Sequence, residues 1–418
     1  MIQAPRGTRD FPPDEMAYRR WAEGIMRRNA ELFGYGEVST PTFESLELFT
    51  LKSGPGIIDE IYAFKDKGGR DLALRPELTA PVMRMVVNSM RSAPKPIKLF
   101  YLGNCFRYDR PQSGRYREFF QFGVEVVGAD TPAADAEIIA LAIKNIKDLG
   151  LEDFRVKVGH IGAIRGALNV IEELPKEKHT EILQALDKER YEEVEEILVK
   201  YCGENDASVK VKVLEHVISI TDIDELEKQD ATTADHLKEV LKHLSHYGFE
   251  QYCTIDMSVV RGLDYYTGMV FEIEAPALGA EKQICGGGAY SLIKLLGGGD
   301  IPSTGFAIGF DRVLLALEKE GKRPGIGRKG LYILRAGSVP YEDMVGLAAR
   351  LRLSGIPVDF PLSDRSLSKG MKYASSLKYP YVAIMGEEEW EGGKITLRDM
   401  ATGEQETLSV EELIDRFV

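Results

Sequence analysis

The chain has 418 residues, of which 44% are hydrophobic and 28% charged, and its formal net charge is −13. This length exceeds what one compact core usually holds, so at least two domains are expected. No apolar run is long enough to span a bilayer, and the first residues lack the apolar stretch of a signal peptide, so we expect a cytoplasmic protein with no membrane partner. The acidic balance argues against indiscriminate nucleic-acid binding, so any RNA contact must use local basic patches.

In chain order, the first predicted element is an amphipathic helix at about residues 14–33, which ends before Gly34. Further along, the segments KLFYLGNCFRY and REFFQFGVEVVG alternate apolar and polar residues around the polar stretch DRPQSGRY. This pattern predicts a long β-hairpin. From about residue 161 to 250 the composition shifts to Glu, Lys, Leu and Ala with helical periodicity, and strand patterns return after it. A helical insertion therefore interrupts one sheet.

The chain is predicted to divide into a core formed by residues 1–160 and 251–320, the insertion 161–250, a linker 321–329 and a last domain 330–418. The linker is rich in Gly, Lys and Arg. The last domain alternates strand and helix patterns, which favours a small α/β domain with parallel strand pairing. A hairpin that turns near Thr402 and Gly403 and a short final helix follow.

Positive charge concentrates at the end and tip of the predicted long hairpin, where Arg107, Arg110, Arg115 and Arg117 occur. Guanidinium groups can clamp phosphate oxygens in forked geometry, and a tyrosine such as Tyr116 could lie against a base. A solvated, charge-decorated loop would explain the same residues. Charge alone leaves both interpretations open.

Three other segments place polar residues at a strand end, within a strand-like run or at a helix start, where burial is unfavourable or an anion could bind. LRPELTAP contains Glu77 and Thr79 near a predicted strand end, and RGLDYYTG puts Arg261 in an otherwise strand-like run. FAIGFDRVLLAL places Arg312 at the start of an apolar helix, where the helix N-terminus also favours phosphate. Taken singly, each residue is more simply explained by a structural salt bridge.

Together, these segments resemble the signature segments of the histidyl-tRNA synthetases, a family of class II aminoacyl-tRNA synthetases. RGLDYYTG is close to specific for histidyl enzymes and their relatives, whereas the hairpin and FAIGFDRVLLAL resemble the general class II motifs 2 and 3. FGYGEVSTPTFE resembles motif 1, which supports the dimer interface in that class. The resemblance covers essentially the whole chain. It implies an α+β catalytic domain built on an antiparallel sheet flanked by helices, a helical insertion, and a C-terminal anticodon-binding domain with a mixed sheet.

The activity implied by this resemblance is that of a histidine–tRNA ligase. Such an enzyme activates L-histidine with ATP to histidyl-adenylate and pyrophosphate, then transfers histidine to the 3′ end of tRNA(His). The resemblance further implies ATP with Mg²⁺, no metal site made by protein side chains alone, and a homodimer. An alternative is a non-catalytic regulatory paralogue of the type that serves as a subunit of ATP phosphoribosyltransferase.

The resemblance also assigns residues to the nucleotide. Arg107 and Arg312 would clamp the ATP phosphates, and Arg115 and Tyr116 would help to hold the nucleotide. Asp109 stands where class II enzymes usually have a glutamate that meets the adenine amino group, so its reach is one methylene shorter.

Catalysis by the same resemblance involves Arg107, Arg312 and Arg261. Arg261 would lie near the α-phosphate and the substrate carboxylate, in a role that other class II enzymes give to a metal ion. Charge-stabilising arginines and Mg²⁺ suffice for adenylate formation, so no histidine or cysteine base is needed.

The implied histidine-binding residues come from four separate segments. They are Glu77, Thr79, Gln121, Glu125, Tyr265, Tyr266 and Tyr290. Glu125 and Tyr266 would hydrogen-bond the imidazole nitrogens, which suits a ring that both donates and accepts. Ala289 and Ser291 flank Tyr290 where bacterial relatives commonly have arginine and aspartate, a departure that suggests an archaeal-type branch.

The last domain carries a basic cluster. Arg365, Lys369 and Lys372 are spaced to lie on one face of a helix predicted at about residues 366–378. Contact with the tRNA anticodon and a plain solvated helix face both fit this spacing.

Overall fold

The computed structural model describes residues 2–53, 55–109, 114–187, 190–259 and 266–418. The chain forms two compact units, Met1–Arg323 and Pro324–Val418. In the described residues, no helix combines the length and apolar character that a membrane crossing requires.

The first unit is built on a large sheet flanked by helices. Its strands are β1 (Gly36–Glu37), β2 (Phe43–Ser45), β3 (Ala63–Lys65), β4 (Asp71–Leu74), β5 (Ile97–Phe106), β6 (Glu118–Val127), β7 (Arg155–His160), β8 (Cys253–Ile255), β9 (Tyr266–Glu274), β10 (Gln283–Tyr290) and β11 (Ser303–Gly309). In the described chain, eight of them form a sheet in the order β1-β5-β6-β11-β10-β9-β7-β8, and β2-β4-β3 form a smaller one. The central pairs are antiparallel, and β1–β5 and β7–β8 at the two edges are parallel. The predicted antiparallel catalytic fold is confirmed.

The helices described in this unit are α1 (Pro13–Leu32), α2 (Leu46–Ser53), α3 (Thr79–Ser89), α4 (Pro132–Asp148), α5 (Ile161–Asn169), α6 (Lys176–Asp187), α7 (Tyr191–Cys202), α8 (Glu204–Ser219), α9 (Ile223–Gln229), α10 (Ala231–His246), α11 (Leu292–Leu295) and α12 (Phe310–Lys319). Several of them, among them α4, α5 and α12, pack against the large sheet. Helices α5 to α10 follow one another between β7 and β8, in the stretch where helical periodicity dominates the sequence. The last of them, α10, packs against α4 on the sheet.

Helix α1 shows how the apolar pattern sets the packing. Tyr18, Ala22, Met26 and Ala30 recur every four residues and are at most 1% exposed. Side chains at this spacing form one face of a helix, so burying them fixes α1 against the unit's core. The helix predicted at about 14–33 is confirmed.

The long hairpin is also confirmed. Strands β5 and β6 pair from Phe106 opposite Glu118 to Ile97 opposite Val127 without a register shift. Of the segment that joins them, residues 110–113 lie outside the described residues. Strand β11 pairs with the other edge of β6, so residues of β5, β6 and β11 can share one face of the sheet.

The second unit contains a five-stranded mixed sheet in the described residues. Its elements are β12 (Leu331–Arg335), α13 (Tyr341–Leu353), β13 (Val358–Asp359), α14 (Leu367–Ser376), β14 (Tyr381–Met385), α15 (Glu387–Glu391), β15 (Lys394–Asp399), β16 (Gln405–Ser409) and α16 (Val410–Phe417). Strands β13, β12 and β14 are parallel, whereas β14, β15 and β16 are antiparallel. The predicted small α/β domain with a mixed sheet and a terminal hairpin is confirmed.

Candidate active site

A cavity of about 330 Å³ opens on the large sheet of the first unit. Every described residue that the sequence assigned to histidine or ATP lines it. These residues are Glu77, Thr79, Arg107, Asp109, Arg115, Tyr116, Gln121, Glu125, Tyr266, Tyr290 and Arg312. They come from the β4–α3 connection, the long hairpin, β9, β10 and α12, so the fold brings distant segments to one place.

One end of the cavity is organised around a buried carboxylate. Glu125 is 1% exposed. The Tyr101 hydroxyl donates to its Oε1 at 2.9 Å, and the Tyr290 hydroxyl donates to its Oε2. Burial raises the pKa of Glu125 to about 7, although these hydrogen bonds act in the opposite direction. We call Glu125, Tyr101 and Tyr290, with Thr79 and Tyr266 beside them, the carboxylate end.

Thr79 and Tyr266 complete the carboxylate end. Thr79 Oγ1 lies 3.3 Å from the Tyr101 hydroxyl. The ring of Tyr266 meets that of Tyr290 edge to face, with centroids 6.4 Å apart. Tyr266, Tyr290 and Tyr101 are each at most 8% exposed. Contacts among these side chains therefore limit the positions that each can adopt before a ligand enters.

Two glycines make room for this arrangement. Gly123 lies opposite Tyr101 on the neighbouring strand, and a Cβ there would be 2.4 Å from the Tyr101 hydroxyl oxygen. Gly305 lies opposite Glu125, and a Cβ there would be 2.0 Å from Glu125 Oε2. Any larger residue at either position would displace the group that faces the cavity.

Glu77, Gln121 and Cys105 connect the cavity wall to the scaffold. The Glu77 carboxylate accepts the backbone N–H of Thr79 at 2.8 Å and so caps the first turn of α3. The Cys105 thiol donates to Gln121 Oε1 at 3.4 Å. Burial raises the pKa of Cys105 to about 12, so this thiol stays protonated and remains a donor.

The opposite end of the cavity is cationic. Arg115 lies beyond the hairpin tip, and its Nη2 and Nε contact Glu281 Oε2 at 2.8 and 3.0 Å. Arg312 lies in the first turn of α12, with its Nη1 3.7 Å from the same carboxylate oxygen, and it also donates to the backbone carbonyl of Glu281. We call Arg107, Arg115 and Arg312 the arginine end.

Arg107 and Arg312 are held by the protein in different ways. Arg107 Nε donates to the Pro76 carbonyl at 3.0 Å, and its guanidinium lies 5.2 Å from the centroid of the Phe119 ring. Burial lowers the pKa of Arg312, while the nearby Glu281 raises it. A guanidinium stays charged under such shifts, so three positive groups face this end.

Sequence reasoning missed several residues of the site. Tyr101 contacts Glu125 within the hairpin, 24 residues along the chain, and Glu281 contacts Arg115 across 166 residues. An available signal was the aromatic Tyr101 opposite a glycine in the predicted hairpin. Ala289 and Ser291 do not appear among the described residues that line the cavity, and Ser291 Oγ is instead 3.5 Å from Asp300 Oδ1.

Two predicted site residues, Arg261 and Tyr265, lie outside the described residues. Among the residues described, no group of three or more His, Cys, Asp or Glu side chains is placed to hold a metal ion.

The basic cluster of the second unit differs from its prediction. Helix α14 begins at Leu367, and Ser366 before it is extended, so Arg365 precedes the helix and the prediction that it shares a helix face is wrong. Lys369 and Lys372 lie on α14 and are exposed. The Arg365 guanidinium stacks on Tyr373 at 4.2 Å from the ring centroid.

Comparison with known families gives two matches. Residues 7–313 match the family model described as histidyl-tRNA synthetase. Residues 334–418 match the model of an anticodon binding domain.

Curated relatives match over nearly full length. A histidine–tRNA ligase of Methanosarcina acetivorans is 44% identical over 418 residues, covering 100% of this chain and 98% of the relative. A histidine–tRNA ligase of Archaeoglobus fulgidus is 45% identical over 413 residues, covering 99% of this chain and 98% of the relative.

Solved structures agree on the fold. The apo histidyl-tRNA synthetase of S. aureus has a TM-score of 0.77 and 31% identity, with 100% of both chains covered. A Bacillus halodurans structure described as an ATP phosphoribosyltransferase regulatory subunit/histidyl-tRNA synthetase has a TM-score of 0.75 and 25% identity, covering 92% of this chain and 98% of the other.

Proposed function

The chain belongs to the histidyl-tRNA synthetase family, and from this membership we propose that its cavity binds L-histidine at the carboxylate end and ATP at the arginine end. The activity is that of a histidine–tRNA ligase. The observation that carries the residue assignments is the meeting of a buried, hydrogen-bonded carboxylate and three arginines in a single cavity.

The carboxylate end suits an imidazole ring. A neutral imidazole donates from one nitrogen and accepts at the other, and Glu125 offers an acceptor already stripped of water. Tyr266, whose ring meets that of Tyr290 in the same cavity, would be the second partner. A ring that lacked these groups would leave buried polar atoms unpaired, which is how such a pocket rejects analogues. Glu77, Thr79 and Gln121 line the same cavity and would contact the amino and carboxylate groups.

The arginine end suits the triphosphate. Arg107, Arg115 and Arg312 would pair with phosphate oxygens, and α12 adds the favourable field of its N-terminus to the Arg312 site. Tyr116 and Asp109 would contact the rest of the nucleotide. Mg²⁺ would enter with ATP as part of the substrate, because it is commonly held by phosphates, waters and one or two carboxylates.

The first step joins the two ends. The histidine carboxylate attacks the α-phosphorus, a bond to the bridging oxygen breaks, and pyrophosphate leaves. Negative charge grows on the phosphorus oxygens in the transition state, so fixed guanidinium groups stabilise it more than the reactants. The resemblance gives Arg261 a place at this centre. In the second step, the terminal ribose hydroxyl of tRNA displaces AMP.

The partner of the second unit is proposed to be tRNA(His). Its family match is an anticodon binding domain, and Arg365, Lys369 and Lys372 supply local positive charge on an acidic protein. The presence of this domain and the nearly full-length match to histidine–tRNA ligases make a regulatory paralogue the weaker alternative. We also propose a homodimer, as the resemblance to motif 1 implies, and a cytoplasmic location.

The test is exchange of labelled pyrophosphate into ATP, with each of the standard amino acids supplied in turn. Histidine alone should support exchange, and adding tRNA should yield histidyl-tRNA. Absence of histidine-dependent exchange would contradict the assignment, and nucleotide binding without exchange would favour the regulatory alternative.

A further inference from the structure

The segment before α1 lies against the hairpin that carries the nucleotide-binding residues. The backbone N–H of Arg117 donates to the Gly7 carbonyl at 2.8 Å. Two residues further on, the Arg9 guanidinium lies over the Tyr116 ring, with its Cζ 3.4 Å from the ring centroid. The N-terminal segment therefore contacts the residue pair that leads into β6.

The same guanidinium is also held by a carboxylate of helix α12. Arg9 Nη2 contacts Asp311 Oδ1 at 2.7 Å, and the Asp311 side chain is 3% exposed. Asp311 precedes Arg312 in α12, and its Oδ2 accepts the backbone N–H of Phe120 in β6 at 2.7 Å. One carboxylate thus ties α12 to the hairpin and holds the arginine that covers Tyr116.

A second arginine binds the same carboxylate, and it differs from Arg9 in its burial and in its other contacts. Arg19 also contacts Asp311 Oδ1 at 2.7 Å, but its side chain is 2% exposed, and its guanidinium lies among the rings of Phe11 and Phe120. Arg9 is 28% exposed and contacts Tyr116, which lines the cavity. Arg19 anchors the core, whereas Arg9 reaches the ligand site.

We propose that Arg9 is a positioning residue for the nucleotide site: held by Asp311, it fixes the Tyr116 ring in the orientation that ATP requires. This proposal rests on the assignment of Tyr116 to the nucleotide. A guanidinium suits the role because its planar face can stack on a ring while its edge donates to a carboxylate. An ammonium group has no such face.

The test measures equilibrium binding of ATP with Mg²⁺ by calorimetry, together with pyrophosphate exchange, in Arg9→Met, Tyr116→Ala and the double variant. Arg9→Met should weaken ATP binding by about tenfold, the scale of a partly desolvated cation–π contact. The KM for histidine should stay within about twofold, because the carboxylate end does not contact Arg9. In the Tyr116→Ala background, Arg9→Met should have no further effect on ATP binding.

Two further variants separate positioning from folding. Arg9→Lys keeps a charge for Asp311 but lacks the planar face, so it should keep the wild-type melting temperature and still bind ATP weakly. Arg6→Met removes an exposed arginine of the same segment and should behave as wild type.

Unchanged ATP binding in Arg9→Met, equal losses for histidine and ATP, or full additivity with Tyr116→Ala would overturn the proposal. If the wild type binds ATP but shows no histidine-dependent exchange, the proposed function fails, while the binding cycle still decides the role of Arg9.

Discussion

The two ends of the cavity are both polar, but they differ in solvent exposure and in the charge of the groups that pair there. At the carboxylate end, Glu125 is 1% exposed and its hydrogen-bond donors are uncharged hydroxyl groups. At the arginine end, the side chains of Arg115 and Glu281 are 46% and 38% exposed and form an ion pair. The first end is closed, with neutral hydroxyl donors on its carboxylate, and the second is open and charged.

The two ends therefore discriminate between ligands in different ways. A buried acceptor with fixed partners distinguishes ligands by hydrogen-bond pattern, because a mismatch leaves a desolvated group unpaired. Partly exposed arginines attract any polyanion of suitable size, because this attraction depends mainly on charge and not on a fixed hydrogen-bond pattern, although solvent screening weakens it. Amino-acid choice should therefore reside at Glu125, and phosphate attraction at the arginines. Substitutions at each end should change the binding of one substrate only.

The largest effect is expected at the arginine end. Arg312→Ala removes a donor aimed at the phosphates and should lower kcat/KM for ATP by about 10²–10³-fold. Arg312→Lys should lose less, because charge remains but the forked geometry does not. Steady-state pyrophosphate exchange measures both, with Lys322→Ala, a cation just beyond α12, as control. A comparable increase in the KM for histidine would contradict the assignment of ATP and histidine to different ends of the cavity.

Next in size is Glu125→Gln, which keeps the shape but removes the charge and leaves one acceptor oxygen for the two tyrosine hydroxyls. We expect the KM for histidine to rise by about 10²-fold, the scale of a hydrogen bond to a buried charged group, with little change for ATP. Glu118→Gln is a matched control on the same strand, because Glu118 accepts from Asn104 instead. Equal changes in both substrates would refute the imidazole assignment.

A smaller change, of opposite sign, is expected at Glu281. Its carboxylate pairs with Arg115 and Arg312 and would compete with phosphate for them. Glu281→Gln should lower the KM for ATP by about 2–5-fold, as expected for a partly exposed ion pair. Asp300→Asn removes an exposed carboxylate that pairs with Lys294 and should change nothing. A higher KM for ATP in Glu281→Gln would instead mean that this carboxylate assists nucleotide binding.

The smallest effect is a pH-dependent stability difference at the carboxylate end. The pKa of Glu125 rises from 4.5 to about 7 on folding, because burial disfavours its charged form. Between these values the folded chain keeps a proton that the unfolded chain has lost, so this group's contribution to stability falls as pH rises through the window.

Glu125→Gln has no such titration. The melting temperature of the variant minus that of the wild type should therefore rise by roughly 2–5 °C from pH 4.5 to pH 7.5. Calorimetric melting at stepped pH values measures the difference, and Glu47→Gln, at an exposed site, should show none. A flat difference would mean that Glu125 titrates as an ordinary carboxyl.

Much of this architecture follows from local sequence. The apolar stripe of α1 and the alternation in β5 and β6 predicted elements that the structure confirms. The described residues that the family resemblance assigned to histidine or ATP line one cavity. The resemblance could predict this because each signature segment occupies a fixed place in the fold.

What the sequence did not predict depends on long-range contacts. The Arg9–Asp311 pair spans 302 positions, and Tyr101 meets Glu125 only through the register of two strands. Helix ends were also uncertain, because an extended Ser366 leaves Arg365 outside α14. Local pattern fixes elements and faces, whereas partners across the fold depend on how those elements pack.

The most direct test of the two-ended cavity is a crystal structure with a non-hydrolysable histidyl-adenylate analogue. We expect the imidazole within hydrogen-bonding distance of the Glu125 carboxylate, and the phosphate replacement next to Arg107 and Arg312. An imidazole placed away from Glu125, or a nucleotide bound outside this cavity, would contradict it.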